Sequence, residues 1–165
     1  MRVSTALFTL ACALGLASAG VINLPFNFAP APATIEECGP DTDLLKIEYV
    51  NLNPNPPLRG TDLTIDAKGF LSSPILQGAT IDVVVKVGVV KLLTKTFDFC
   101  EESVKIDKEC PVAAGEQTLQ HTVELPKEIP PGKYTVNIKV RNPSPAEGVP
   151  GQEVTCLVAR AQFGV

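Results

Sequence analysis

The sequence is poor in the residues that most hydrolases and metalloenzymes need. Among 165 residues there is one histidine, His121, and no tryptophan. This scarcity argues against a histidine-based triad and against a multi-histidine metal centre. No serine beyond residue 19 lies in a Gly-x-Ser-x-Gly motif, and no phosphate-binding glycine loop occurs. We therefore predict a protein that is not an enzyme and holds no metal or cofactor. A hydrolase with a carboxylate pair assembled from different strands is the alternative that stays open.

Long hydrophobic runs are also missing. One apolar stretch extends from Ala6 to Ala17, follows the basic residue Arg2 and leads into Ala17-Ser18-Ala19. It is shorter than the roughly 20 residues that a membrane span needs, and its end has the small-residue pattern of a cleavage site. We predict a signal peptide over residues 1–19. A membrane-anchoring helix is the alternative.

Positive charge is in deficit. The chain has 14 Lys and Arg against 18 Asp and Glu, and removal of Arg2 with the leader leaves 13 against 18, a net charge of −5. A mildly acidic protein is a poor ligand for nucleic acid and does not adhere strongly to anionic membranes. We predict no nucleic-acid partner and only transient membrane contact.

Four of the five cysteines lie beyond the leader. An even number in an exported chain is typical of a disulfide framework rather than a metal or redox site. Three connectivities are possible, and the placement favours the nested one, Cys38–Cys156 around Cys100–Cys110. On the loop-entropy model the long closure contributes about 5 kcal/mol and the short one about 3 kcal/mol. Such a protein belongs to the secretory pathway, in the extracellular space or the vacuolar lumen.

Residues 20–37 combine apolar residues with Pro25, Pro30 and Pro32 and show neither helical nor strand periodicity. Proline removes a backbone donor from any ladder. We interpret the segment as an extended pro-segment or flexible arm, with a simple disordered tail as the alternative. Residues 38–165 then form one domain, which is long enough to bury a core.

Two-residue alternation dominates this domain, and helical periodicity is almost absent. Segments rich in Pro, Gly and Asn interrupt the alternation. This pattern predicts an all-β fold, an immunoglobulin-like antiparallel sandwich of two sheets, with an up-and-down barrel as the second architecture. The predicted strands are Asp43–Val50, Thr61–Phe70, Thr80 to about Val90, Thr94–Phe99, Thr118–Leu125, Gly132–Arg141 and Gln152–Phe163.

One segment departs from clean alternation, because apolar residues occupy both faces between Ile81 and Leu93. A strand with one face in water would not carry them on both. Either this strand is covered on both sides, or Val84, Val89 and Val90 form an exposed contact face. The simpler alternative is a β-rich sequence that tolerates a few outward valines.

The histidine lies in phase with apolar neighbours, Leu119 and Val123. We interpret His121 as an inward, hydrogen-bonded histidine. A pocket-lining pH sensor is the alternative, since the charge of histidine can change in acidic compartments.

Several short motifs follow one another along the chain. They are Cys38-Gly39, Gly60-Thr61-Asp62-Leu63-Thr64-Ile65, Phe99-Cys100, Cys110-Pro111-Val112, Pro131-Gly132-Lys133-Tyr134-Thr135-Val136 and Thr155-Cys156-Leu157. In this order the chain resembles the ML lipid-recognition family, which includes the Niemann-Pick type C soluble sterol carrier, and within it the fungal phosphatidylglycerol/phosphatidylinositol transfer proteins. The resemblance covers roughly Cys38 to Phe163.

The resemblance implies that the two sheets splay apart and hold one lipid between them, and it implies the same nested disulfides. The function expected from it is intermembrane transfer of phosphatidylglycerol, phosphatidylinositol or a sterol, and we expect a monomer. The implied lipid-binding residues are Leu92, Leu93, Phe97, Val112 and Leu119 at the pocket mouth and Val83, Val85, Val136 and Ile138 in its walls.

One departure from the family pattern concerns the loop after the first strand. The sterol carriers close it with an additional small disulfide, whereas this chain has Pro54, Pro56 and Pro57. The departure weakens the case for sterol. The predicted mouth has no arginine cluster for a phosphate, so a headgroup left in solvent suits either cargo. The competing hypothesis is a secreted recognition module that binds a protein partner through the exposed strand face.

Overall fold

The computed structural model describes residues 31–164, so the predicted signal peptide lies outside the described residues. The described strands are β1 Thr34–Glu37, β2 Leu45–Asn53, β3 Asp62–Leu71, β4 Thr80–Val87, β5 Val90–Asp98, β6 Gly115–Glu124, β7 Gly132–Arg141 and β8 Glu153–Phe163. They form two antiparallel sheets, a five-stranded one in the order β1-β8-β7-β4-β5 and a three-stranded one in the order β2-β3-β6. The predicted all-β sandwich of two sheets is confirmed.

The seven predicted strands correspond to β2–β8, but the sequence does not predict β1. This strand pairs antiparallel with β8, with Thr34 opposite Arg160 and Glu37 opposite Leu157. The interpretation of residues 20–37 as a flexible arm is therefore wrong for residues 34–37. Four residues are too few to show alternation, and what holds them in a strand is pairing with a segment far away in the chain.

The boundary between the third and fourth predicted strands is also corrected. β4 ends at Val87 and β5 begins at Val90, so Gly88 and Val89 form a two-residue hairpin loop. Gly88 has φ +55°, a value that such tight loops require and that glycine adopts easily. Its N–H donates to the carbonyl of Lys133 at 2.9 Å. A valine in the loop conceals the turn in the sequence.

The hairpin changes the interpretation of Val84, Val89 and Val90 as one contact face. Val84 lies opposite Thr94, whereas Val90 lies opposite Val87 on the other face of the same sheet. Val89 is in the loop and 99% exposed. The three residues therefore do not share a face, and the apolar run is the two arms of a hairpin.

A short helix, α1, follows β5 at Phe99–Ser103, and a 3₁₀ turn follows it at Val104–Ile106. The Asp98 side chain caps α1 by accepting from the N–H groups of Cys100 and Glu101 at 2.8 and 3.0 Å. Five residues are too short for a helical period to appear in the sequence, which is why the strand prediction runs on to Phe99.

The packed core lies at one end of the sandwich. Leu71 at the end of β3 and Val154 near the start of β8 are fully buried. Because neighbouring strands are antiparallel, the residues around them meet at the same end, which we call the closed end. The buried cluster consists of Leu44, Leu71, Ile75, Ala79, Val112, Val140 and Val154. Both predicted disulfides, Cys38–Cys156 and Cys100–Cys110, are present.

The two sheets are tied together along one flank. The N–H of Leu44 donates to the carbonyl of Glu153 at 3.3 Å, and the N–H of Ile47 donates to the Glu37 carboxylate at 3.3 Å. Strand β2 therefore lies against β1 and β8. The opposite flank is bordered by the edge strands β5 and β6, and we call it the β5–β6 flank.

Candidate functional site

The inner face of the five-stranded sheet carries a continuous apolar surface. Ile81 and Ile138 pack against the core cluster, which shows that their face is the one directed at the other sheet. On the same face of the sheet, Val83 lies opposite Ile138 and Val85 lies opposite Val136. The four residues predicted as pocket walls are thus neighbours on one inner face. All of them remain partly exposed.

The three-stranded sheet contributes a second apolar face. Alternate β3 residues point inward, since Leu63 and Leu71 are buried. Their row continues into β6, where Leu119 lies opposite Ala67 and His121 opposite Ile65. Leu119 therefore faces inward, toward the other sheet.

His121 lies on this inner face and is partly exposed. Its side chain makes no hydrogen bond to another residue of the described chain. The predicted inward position agrees with the register, and the predicted hydrogen bond is not found.

Three of the predicted mouth residues lie together on β5. Leu93 is opposite Val85, and Phe97 is opposite Ile81. Leu92 lies at an irregularity in the register and is 56% exposed, against 42% for Leu93. Because β5 is an edge strand, these side chains border the β5–β6 flank.

Val112 is the predicted mouth residue that the structure places elsewhere. It is 8% exposed and belongs to the packed cluster at the closed end. Its backbone exchanges two hydrogen bonds with Ile75, both of 3.0 Å. The structure therefore does not bring Val112 together with Leu92 and Leu93, and Val112 fills the core.

Sequence reasoning missed one charged residue on the inner face. The β5 residues that face the other sheet form its inner row, and Lys95 lies in this row between Leu93 and Phe97. The Nζ of Lys95 is 4.5 Å from the centre of the Phe97 ring. An ammonium over an aromatic face is held there by the charge distribution of the ring. The signal was available, since Leu93, Lys95 and Phe97 are in phase two residues apart.

The most perturbed carboxylate lies at the closed end, away from this face. Asp43 is buried, and its Oδ1 has no hydrogen-bond partner among the described residues. Burial raises the pKa of Asp43 above its ordinary value, and the nearby charge of Glu153 raises it further, while Lys46 and a backbone hydrogen bond from Cys156 oppose the shift. We therefore relate Asp43 to the stability of the fold and not to the candidate site.

No group of three or more His, Cys, Asp and Glu side chains within residues 31–164 is placed to hold a metal ion. No helix in the same range is long and apolar enough to cross a membrane. A depression of about 230 Å³ lies beside β1 and the start of β7, far from β5 along the sheet order. It is smaller than the roughly 300–1,000 Å³ of typical small-molecule sites.

A family model described as the ML domain, E1_DerP2_DerF2, matches residues 33–163. A phosphatidylglycerol/phosphatidylinositol transfer protein of Debaryomyces hansenii is 43% identical over 135 residues, which are 81% of this chain and 66% of that protein. One of Mycosarcoma maydis is 40% identical over 129 residues, 77% of this chain and 64% of that protein. The chain thus spans just under two thirds of the length of these two relatives.

Two solved structures share the fold. A Niemann-Pick type C2 protein from the Japanese carpenter ant superposes with a TM-score of 0.53 at 17% identity, covering 78% of this chain and 98% of that one. Chicken MD-1 complexed with lipid IVa gives a TM-score of 0.52 at 15% identity, covering 81% and 90%. At these identities the likeness concerns the two-sheet fold.

Proposed function

The chain belongs to the ML-domain family, whose members bind or transfer lipids without catalysing a reaction, and on that premise we propose that it carries single lipid molecules between membranes. The protein is therefore not an enzyme, and the hypothesis of a carboxylate-pair hydrolase is dropped. The names of the fungal relatives support transfer of lipid. The same relatives are longer than the matched part, so activity and cargo are proposed for this chain.

The observation that carries the proposal is the exposure of the inner apolar rows. In a sandwich whose two sheets meet across a filled core, inward side chains interdigitate and are buried. Here the packed cluster lies at the closed end, while Val83, Val85, Val136 and Leu119 remain partly exposed. We propose that the acyl chains of the cargo cover these side chains.

The physical need for such a carrier is large. Exposing a tail of about sixteen carbons to water costs on the order of 12 kcal/mol, at ~0.8 kcal/mol for each CH₂. Unassisted exchange between membranes is therefore slow. An aliphatic slot lowers this cost, and its apolar contacts do not require one orientation of the acyl chain. Selectivity between lipids then comes from the polar residues at the mouth of the slot.

We propose an anionic phospholipid, phosphatidylglycerol or phosphatidylinositol, as the cargo. The names of the relatives support this choice over a sterol. Competition between labelled phosphatidylinositol and labelled sterol for the purified protein tests it. Displacement of phosphatidylinositol by equimolar sterol would contradict the choice.

The hairpin between β4 and β5 is the segment that we propose to touch the membrane. Val89, Val90 and Leu92 are 99%, 60% and 56% exposed. Lys86 precedes them and Lys91 lies between Val90 and Leu92, and neither lysine forms an ion pair with a residue of the described chain. Apolar residues that insert at the interface, with lysines that meet lipid phosphates, are typical of reversible membrane contact.

The two disulfides support an oxidising compartment, the extracellular space or the lumen of the secretory pathway or vacuole. Fractionation of cells that express the tagged chain would identify the compartment. Recovery of the protein with reduced cysteines in the cytosol would contradict this assignment.

The direct test is extraction of the purified protein with organic solvent, followed by mass spectrometry, together with transfer of labelled lipid between vesicles. We expect about one phospholipid for each protein molecule and faster transfer than in buffer. Absence of both would overturn the proposal and favour the recognition module that binds a protein partner.

Leu93→Asp tests the location of the slot. Leu93 is 42% exposed, so the variant should fold, but a carboxylate beside Val85 costs several kcal/mol against an acyl chain. We expect transfer to fall by at least about tenfold. Phe70→Asp is the matched control, because Phe70 is 58% exposed on the outer side of the other sheet. Equal loss in both variants would refute the assignment.

A further inference from the structure

We propose that Lys95 binds the phosphate of an anionic lipid headgroup at the β5–β6 flank and thereby sets the preference for anionic over neutral lipids. The inference rests on the lipid transfer proposed above and adds a specificity residue to it. The lysine is identified by its position on the inner face and by the absence of a carboxylate partner among residues 31–164.

The position of Lys95 is unusual for a charged residue. The inner rows of β3, β4, β6 and β7 hold no Lys, Arg, Asp or Glu. In β5, Lys95 has the apolar residues Leu93 and Phe97 on either side in its own row. A headgroup phosphate at Lys95 would leave the acyl chains beside Leu93 and Val85, where the apolar surface begins.

The nearest carboxylates along the strands are already engaged elsewhere. Asp82 accepts from the Thr96 hydroxyl at 2.6 Å and pairs with Arg141 at 3.4 Å. Asp98 caps α1. Both belong to the outer rows, since Asp82 lies opposite Thr96 and Asp98 opposite Thr80. Lys95 forms no ion pair with any other residue of the described chain.

Phe97 holds the ammonium in place. The Nζ–ring distance of 4.5 Å is within the range of a cation–π contact. A positioned ammonium loses less entropy on meeting a phosphate than a freely rotating one. Lysine acts on phosphate as a point charge with three donors, which suits headgroups of different size such as glycerol and inositol.

An inward lysine on an edge strand has a second physical explanation. Such charges prevent edge strands from pairing with another copy of the chain. This explanation predicts that loss of the charge changes the oligomeric state, and it predicts no effect on the choice of lipid. The two roles are therefore distinguishable in one set of variants.

The experiment measures transfer of trace labelled phosphatidylglycerol, phosphatidylinositol and phosphatidylcholine between vesicles of neutral phosphatidylcholine, so that the surface charge of the membrane stays constant. The variants are Lys95→Gln, which removes the charge, and Lys95→Arg, which keeps it. Lys133→Gln is the control, because Lys133 is an exposed lysine in an outer row of the same sheet, on β7 opposite Gln162 of β8.

We expect Lys95→Gln to lower the rate for both anionic lipids, relative to phosphatidylcholine, by about tenfold, the effect of one charge-assisted hydrogen bond. Lys95→Arg should keep most of the preference, and Lys133→Gln should leave it unchanged. An unchanged preference in Lys95→Gln, with or without larger oligomers in sedimentation, overturns the inference. An equal loss in Lys133→Gln overturns it as well.

The failure of this inference differs from a failure of the proposed function. If the wild-type protein transfers no lipid, the lipid-carrier proposal falls and the headgroup site falls with it. If the wild type transfers lipid and Lys95→Gln keeps its preference, only the headgroup site is refuted.

Discussion

At the scale of single residues, neighbours decide what a side chain does. Val112 and Leu93 are both aliphatic and both were expected at the pocket mouth, but one is 8% exposed and the other 42%. A charge placed at Val112 would disrupt the packed cluster, so a loss of lipid uptake there would report unfolding. Leu93 is the residue at which function can be tested separately from stability.

Asp43 provides a prediction about pH. Its raised pKa means that the folded state binds this proton more readily than the unfolded state, in which the carboxyl has its ordinary value of 3.8. The contribution of Asp43 to the free energy of unfolding is therefore highest at low pH and falls as the pH rises from 3.8 through the raised native value. At neutral pH the buried carboxylate destabilises the fold.

Asp43→Asn should raise the free energy of unfolding at pH 7 by about 1 kcal/mol, since the amide keeps an acceptor for the Cys156 N–H and adds no buried charge. The gain should shrink as the pH falls toward 3.8. Urea unfolding of both proteins across this range measures it. The exposed neighbour Asp41 supplies the control, Asp41→Asn. A less stable Asp43→Asn at pH 7 would contradict the prediction.

At the scale of secondary-structure elements, the β4–β5 hairpin carries a run of exposed apolar residues, Val89, Val90, Leu92 and Leu93. Its loop is short, and Gly88 fixes its geometry, so Val89 projects into solvent at 99% exposure. The second arm of the hairpin is β5, so the inner row of β5 lies at the edge of the sheet. The proposed membrane contact and the proposed lipid mouth therefore lie on the same element.

Val89→Asp should slow transfer between vesicles by about tenfold, because a charged loop no longer inserts at the interface. The amount of lipid bound to the protein at equilibrium should not change. Stopped-flow transfer and lipid extraction measure the two quantities. Val104→Asp is the control, as Val104 is 61% exposed in the 3₁₀ turn after α1. Loss of bound lipid in Val89→Asp would show that the loop belongs to the slot.

At the scale of the whole molecule, two covalent links act on very different lengths of chain. Cys38–Cys156 closes a separation of 118 residues and fastens the chain directly after β1 to β8. Cys100–Cys110 closes 10 residues and holds α1 against the segment that leads to β6. The first constrains the whole sandwich and the second constrains one connection.

We expect the double variant Cys38→Ser/Cys156→Ser to lose about 5 kcal/mol of unfolding free energy and Cys100→Ser/Cys110→Ser about 3 kcal/mol, because the entropy of loop closure grows with loop length. Denaturant unfolding of the two variants under identical conditions compares the losses. A larger loss from opening the short loop would contradict this order and indicate that α1 is part of the folding core.

Much of the fold was predictable because its signals are local. Strand β6 alternates partly exposed and exposed residues without interruption from Gly115 to Glu124, and the sequence shows this alternation directly. The hairpin turn at Gly88 and Val89 was not predictable in the same way, because a valine in the loop continues the apolar run. β1 was missed because the strand with which it pairs, β8, lies more than one hundred residues away.

The arrangement of the predicted wall residues could be tested against the structure. Val83, Val85, Val136 and Ile138 were predicted from alternation and resemblance, and the register places them side by side on one face. Lys95 was overlooked because a lysine in an exposed strand is usually an ordinary surface charge.

The sequence by itself determined the all-β class, the strands β2–β8 and the family. The signals for them are the alternation of residues, the positions of the cysteines and the order of the motifs, and all three can be read along the linear sequence. The tertiary structure alone decided that the core is packed at one end, that Val112 belongs to it, and that Lys95 lies in an inner row beside the apolar surface. These facts depend on which strands become neighbours and which edges stay open, and such pairings bring together residues from distant parts of the chain.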